Sequence, residues 1–201
     1  ELSFYLKRNV TRVIWIEANR EKYNLINRKI KNFENMVLGK FAAGSNHSVR
    51  ELNLANNGLS SSLLELGTHL NNYPEVKYNS IIEVEIKKVD EWIDENFNNK
   101  YLYNFINIDI QGFELEALKG MPNQLRIAEY VYLEVNFEQF YKKELGIFNY
   151  GVINNHMCDL SPSGFKIFSV KDIKTNIIIR CFRDIFPCEI SMIIADKVYK
   201  L

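Results

Sequence analysis

Asn104-Phe105-Ile106-Asn107-Ile108-Asp109-Ile110-Gln111-Gly112-Phe113-Glu114-Leu115-Glu116-Ala117-Leu118-Lys119-Gly120-Met121-Pro122 changes its period halfway along. Phe105 to Ile110 is a short apolar run rich in β-branched and aromatic residues, the composition of a buried strand. Gln111-Gly112 interrupts it. Leu115, Leu118 and Met121 then recur at helical spacing, with Glu114, Glu116 and Lys119 on other faces. Gly120 and Pro122 predict the helix end, since glycine accepts the left-handed conformation and proline cannot continue the backbone ladder. The stretch reads strand, tight turn, helix. Asp109 falls at the carboxyl end of the strand, the edge at which open α/β sheets bind ligands. An Asp before a helix also serves as a plain N-cap, and the pattern leaves both roles open.

Outward from this unit the chain alternates strands and helices. Strands are expected at about 10–17, 36–43, 81–89, 104–110, 130–135, 165–170 and 189–195. Residues 1 to 8 read as the last turns of a helix. Val10 to Ala18 is a β-branched run that ends in the carboxylate of Glu17. Asn19 then caps a helix to about Asn32, with Tyr23, Ile26, Ile30 and Phe33 on one face. Its other face carries Arg20, Lys22, Arg28, Lys29 and Lys31, which suits a solvated surface better than a phosphate or membrane contact. A carboxylate at a strand end beside a nucleotide site accepts hydrogen bonds from ribose hydroxyls; Glu17 is placed for that or for plain solvation.

The third strand ends in Ala42-Ala43-Gly44, small enough to let a flat ring approach the backbone or simply to pack. Residues 48–66 alternate poorly and contain Asn56-Asn57-Gly58, a hairpin-type turn. His69 is a lone histidine, a residue more often structural than catalytic. Ile82, Val84 and Ile86 alternate with Glu83, Glu85 and Lys87 as in a half-exposed strand, and Asp90 is expected to cap the short helix that follows. A later buried strand closes on Glu134-Val135-Asn136, bringing a second carboxylate to the same sheet edge as Asp109.

The chain has 201 residues, enough for one domain, with 25 basic and 25 acidic side chains. Zero net charge argues against nucleic-acid binding held by long-range electrostatics. No apolar run reaches the roughly eighteen residues that a membrane span requires, and no secretory signal opens the chain. Cys158, Cys181 and Cys188 form no C-x-x-C pair and read as reduced thiols of a cytoplasmic protein. His47, His69 and His156 show no metal-binding spacing, so no metal is expected. Neither a nucleophile elbow nor a Walker lysine loop occurs.

Ile108 to Gly120 resembles the signature of the FkbM-type methyltransferases, written loosely as I-D-V-(E/Q)-G-(A/F/Y)-E-L-x-(V/A)-L-K-G. Further segments resemble the same family: Glu17-Ala18-Asn19, Ser60-Ser61-Ser62-Leu63 before His69-Leu70 and Tyr73-Pro74, and Leu133-Glu134-Val135-Asn136 before Glu138 and Phe140-Tyr141. The resemblance covers roughly residues 1 to 145 well. It departs at Phe186-Pro187-Cys188-Glu189, where the family carries an aromatic-Gly-Asp stretch. It implies a Rossmann-like α/β methyltransferase domain over residues 1–201 that uses S-adenosylmethionine to methylate a hydroxyl of a sugar, glycan or natural product. On that basis Glu17, Ala18, Asn19, Ala42, Ala43, Asp109 and Ile110 are expected to hold the donor. Asp109, Glu134 and His69 are the candidates for a general base.

Two alternatives stand beside this reading: a non-catalytic binding protein of the same fold, and methylation of RNA ribose, which the lack of a basic face weakens. The family's first strand and its glycine turn, approximately D-x-G-A-N-x-G, have no counterpart here. The expectation is that they lie upstream of Glu1 and that their absence leaves the centre of the sheet open.

Overall fold

The computed structural model describes residues 2–7, 10–97, 103–128, 130–136, 140–142, 166–173, 176–182 and 191–195. Chain order is α1 (Leu2–Leu6), β1 (Arg12–Ile16), α2 (Arg20–Ile30), β2 (Met36–Gly39), β3 (Ala42–Ala43), β4 (Ser48–Ala55), α3 (His69–Asn72), β5 (Tyr78–Lys87) and α4 (Val89–Phe97). Then follow β6 (Phe105–Ile108), α5 (Glu114–Lys119), α6 (Pro122–Ile127), β7 (Tyr130–Asn136), β8 (Lys166–Ile173), β9 (Asn176–Phe182) and β10 (Ser191–Ala195). Seven strands form one sheet in the order β2-β1-β10-β6-β7-β9-β8, and β3-β5-β4 form a second. In the large sheet β2, β1, β10, β6 and β7 run parallel, while β9 and β8 are antiparallel additions at one edge.

Alternation along the central strands explains why both faces of the sheet are covered. Ile14 and Ile16 of β1, with Ile106 and Ile108 of β6, join Val89, Ile93, Leu118 and Leu125 in one buried cluster. Val13 and Trp15 point the other way, packing with Tyr5, Ile26, Ile30 and Met36. Register then fixes the site. Leu38, Trp15, Ile194, Asn107 and Tyr132 lie in one row across five strands. Glu17, Asp109 and Glu134 each follow that row by two residues, so their backbone positions stand level at the carboxyl edge.

Several expectations need correction. The sheet's centre is not open: β10 lies between β1 and β6, parallel to both, and supplies the backbone partners that those strands require. Consequently 189–195 is not the antiparallel mate of 165–170. That mate is β9, an Ile-rich stretch two residues beyond β8. The strand expected at 36–43 divides at Lys40-Phe41, because Phe41 turns into the core and Ala42–Ala43 then pair with β5 in the second sheet. Residues 48–55 form a full strand against β5 despite their poor alternation. Cys158, Cys188, His156 and the 183–190 segment lie outside the described residues.

Asp90 does not cap its own helix. Its carboxylate accepts the backbone N–H groups of Asn123 (2.7 Å) and Gln124 (3.1 Å), capping α6, which opens on Pro122. Gly120 does end α5, but in a right-handed conformation (φ −85°, ψ 0°). What requires glycine there is proximity, since a Cβ would stand 2.0 Å from the Gly44 carbonyl oxygen. This backbone contact seats the second sheet against α5.

Gly120→Ala is therefore expected to cost about 3 kcal/mol or more, the upper range for forced overpacking. Gly58→Ala should cost about 1 kcal/mol, because Gly58 has φ +66° but open space around it. Urea unfolding of both variants checks the contrast; equal losses would refute the packing account.

Candidate functional site

A cleft of about 620 Å³, measured out to its open mouth, lies at the carboxyl edge of β1 and β6. One wall is the β1–α2 connection, with Glu17, Ala18, Asn19 and Lys22. The opposite wall is the turn after β6, with Asp109, Ile110, Gln111 and Phe113. Ala42 and Ala43 form the floor with Phe41, while Leu52, Ser61 and Leu63 come from the second sheet and its loop. All seven residues expected to hold a donor thus line one cleft.

On the first wall, Asn19 has extended backbone and its side chain accepts the N–H groups of Glu21 (2.9 Å) and Lys22 (3.4 Å), starting α2 as expected. Glu17 Oε1 accepts the Asn19 N–H at 2.7 Å, which turns the carboxylate over the helix start. Burial pushes the Glu17 pKa up, against the pull of the Asn19 N–H and the Lys22 charge. Lys22 is not part of the solvated basic face. It reaches inward, and its Nζ donates to the Gly58 carbonyl at 2.6 Å.

The second wall is a turn held from several sides. Gln111 has φ +59° and Gly112 φ +95°. Left-handed backbone at a non-glycine residue costs on the order of 1–2 kcal/mol and persists only when surrounding bonds enforce it. Glu114 enforces it here, its carboxylate accepting the N–H groups of Ile110 (2.9 Å) and Gly112 (3.0 Å). Ser62 Oγ donates to the Gln111 carbonyl at 2.7 Å. Gly112 packs under Tyr141, where a Cβ would lie 2.9 Å from the ring. Asp109 caps no helix: α5 begins five residues later, after Phe113. Its Oδ1 accepts the Gln111 side-chain amide at 2.6 Å.

Burial pushes the Glu114 pKa up to about 8; the negative charge of Asp109 adds to this, while the backbone N–H donors oppose it. Glu114 is 1% exposed, so it acts on the turn and not on a ligand.

His69 stands apart from the cleft. Its buried ring packs against Tyr73, Phe140 and Tyr141, with centroids 5.0, 5.8 and 5.7 Å away. Tyr141 links it to the second wall, since the Tyr141 hydroxyl donates to Gln111. Glu134 is paired opposite Ile178 in the sheet, level with Asp109, and its side chain lies outside the described residues. Sequence reasoning missed Lys22, Leu52, Gln111 and Tyr141. Gln111 and Tyr141 both stood inside quoted motifs, but a separation of 30 positions hid their contact. Among the described residues no group of three His, Cys, Asp or Glu side chains is arranged for a metal, and no helix is long and apolar enough to cross a membrane.

The family model of the methyltransferase FkbM domain matches residues 2–167. A curated relative, the 2-O-methyltransferase NoeI of Sinorhizobium fredii (strain NBRC 101917 / NGR234), is 28% identical over 87 residues, 43% of this chain and 35% of that protein. The solved structure of methyltransferase FkbM from Methylobacillus flagellatus KT is similar with a TM-score of 0.53 and 16% identity, over 90% of this chain and 39% of that one. The matched part is thus little more than a third of the length of either protein. The structural likeness bears on the fold alone, and it agrees with the Rossmann-like α/β methyltransferase fold expected from the sequence.

The raised Glu114 pKa has a definite sign for stability. The folded protein holds this proton more tightly than the unfolded chain does. The contribution is complete below about pH 4.5 and is lost as pH rises through about 8. Glu17 is shifted the same way, so the difference between two proteins is the useful quantity. Between pH 5 and 8 the wild type should lose more stability than Glu114→Gln, measured by denaturant unfolding at each pH. Parallel pH curves would show that Glu114 is not the group responsible.

Proposed function

We propose a function from one premise: the chain belongs to the family defined by the methyltransferase FkbM domain. On our reading it is an S-adenosylmethionine-dependent O-methyltransferase acting on a hydroxyl of a sugar, glycan or other natural product. The observation that carries this is the pairing of Glu17 and Asp109 on opposite walls of one cleft, above a floor of Ala42 and Ala43. The donor set suits an adenosyl group: a carboxylate for ribose hydroxyls on one wall, and apolar Phe41, Leu52 and Leu63 around small residues for a flat ring. The oxygen specificity is supported by the 2-O-methyltransferase named above. The sugar or natural-product acceptor comes from the family resemblance, and a cytoplasmic setting from three cysteines that form no C-x-x-C pair and that we read as reduced.

When bound, S-adenosylmethionine supplies an already activated methyl group on a sulfonium. The work left to this chain is to bind, orient and deprotonate. Glu17 accepts the ribose hydroxyls, and Ala18 and Asn19 present the backbone beside them. Asp109 and Ile110 form the wall nearest the sheet edge. There the Asp109 carboxylate either takes the acceptor proton or holds the donor's cationic end. Among the candidate bases Asp109 is favoured over His69, because Asp109 lines the cleft and His69 is closed in by aromatic rings.

Titration calorimetry with S-adenosylmethionine tests the donor: micromolar binding is expected, and none at millimolar ligand would favour the non-catalytic alternative. Glu17→Gln should weaken that binding by about 1.5–3 kcal/mol, the size of a charge-assisted hydrogen bond. Unchanged affinity in a folded variant would remove Glu17 from the ribose.

Glycans and nucleotide sugars screened with labelled donor test the acceptor. With an acceptor found, Asp109→Asn should cut turnover about a hundredfold or more at nearly unchanged melting temperature if the carboxylate is the base. Retained turnover would leave it an anchoring role.

A further inference from the structure

Gln111 occupies a backbone conformation that most side chains avoid, and its carboxamide lies between two buried partners. Nε2 donates to Asp109 Oδ1 at 2.6 Å, and Oε1 accepts the Tyr141 hydroxyl at 2.5 Å. The direction of these bonds follows from chemistry. An ionised carboxylate only accepts, so the amide nitrogen must face Asp109. The amide oxygen then faces Tyr141, and the phenol hydroxyl must donate. The hydroxyl thus anchors the far end of an amide whose orientation the carboxylate sets, and removing it loosens the Gln111 side chain against Asp109.

Tyr141 is itself fixed. Leu66 and Tyr141 form an isolated antiparallel bridge, and the neighbouring Lys142 N–H donates to the Glu65 carbonyl at 2.7 Å. Its ring lies over Gly112 on one side and against His69 on another. The chain of contacts therefore runs from the loop before α3, through Tyr141, into the turn that carries Asp109.

We propose that Gln111 and Tyr141 are positioning residues: the Tyr141 hydroxyl anchors the Gln111 carboxamide, which holds the Asp109 carboxylate in one orientation at the cleft. The inference rests on the reading of Asp109 as a working group of the site. It gives His69 a role as well, as the ring that backs Tyr141, without proton transfer. An amide between Tyr141 and Asp109 is a poor proton relay, so the chain sets orientation and does not carry charge.

Because Gln111 stabilises the charged form of Asp109, disturbing it should raise the pH at which Asp109 titrates. Among the described residues, the ionisable groups about Asp109 include Glu114 in the same turn, Tyr141 bonded to Gln111, and Glu17 and Lys22 in the same cleft. The experiment is a carboxyl-carbon NMR titration of protein labelled at aspartate, with the Asp109 signal assigned from Asp109→Asn. Two variants change little else. Tyr141→Phe loses only the hydroxyl. Gln111→Asn tolerates the left-handed backbone but is too short to span both partners.

Each single variant should move the Asp109 midpoint up by about half a pH unit or more, well within hydrogen-bond effects on carboxylates. In the double variant Tyr141→Phe should add nothing to Gln111→Asn, since it acts through Gln111. Unmoved midpoints with lowered melting temperatures would mean that the pair only packs, and an additive double variant would mean that Tyr141 acts independently. Either result overturns the proposal. Donor calorimetry on the wild type separately decides whether the site binds S-adenosylmethionine, so the two failures cannot be confused.

Discussion

The grip of the Glu114 carboxylate on the N–H groups of Ile110 and Gly112 is the constraint on which the site depends. A strand that runs straight into a helix would carry Asp109 past the sheet edge and into a capping role. Glu114 instead draws the chain into a tight left-handed turn, delays α5 until residue 114, and leaves Asp109 on a cleft wall. Burying that carboxylate is unfavourable, as its raised pKa records. The local cost is tolerated because the same group satisfies two backbone donors that the turn would otherwise leave buried without partners.

The sheet works at a longer range to the same end. β1 and β6 are separated by β10, and the register carries across it without slipping. Glu17 and Asp109 therefore arrive level, one strand apart, with Ala42 and Ala43 beneath. A one-residue slip in either pairing would reverse which side chains of the slipped strand face the core and bring the two carboxylates out of level. Ile14 and Ile16 facing one way, Val13 and Trp15 the other, make such a slip costly.

Much of this was legible in the sequence, for identifiable reasons. Helix α2, its Asn19 cap and the strands carrying Glu17, Asp109 and Glu134 follow from local patterns, because period and capping act over a few residues. Asp90 shows where local reasoning stops. It sits where a cap belongs, yet it caps α6, more than thirty residues on, because packing of α4 beside α6 brings another helix start closer. Gly120 looked like a conformational glycine and is a contact glycine, a distinction that depends on Gly44, far away in sequence. The place of β10 was illegible for the same reason: an apolar run declares itself a strand but not its neighbours.

The roof of the cleft adds a last consequence. The loop after β4 touches both walls: Gly58 receives Lys22 from the first, and Ser62 donates to the Gln111 carbonyl of the second. Asn53 ties the same loop to β4 by donating to the Ser62 and Leu64 carbonyls. A segment anchored at two walls and one sheet fixes the distance between the walls as well as covering them. The width of the cleft is then set by a polar loop that belongs to neither carboxylate-bearing wall. Loops tolerate sequence change better than strands do. A chain of this architecture can therefore alter what fits between Glu17 and Asp109 by changing residues such as Ser61 and Leu63, while the strands that carry both carboxylates stay as they are.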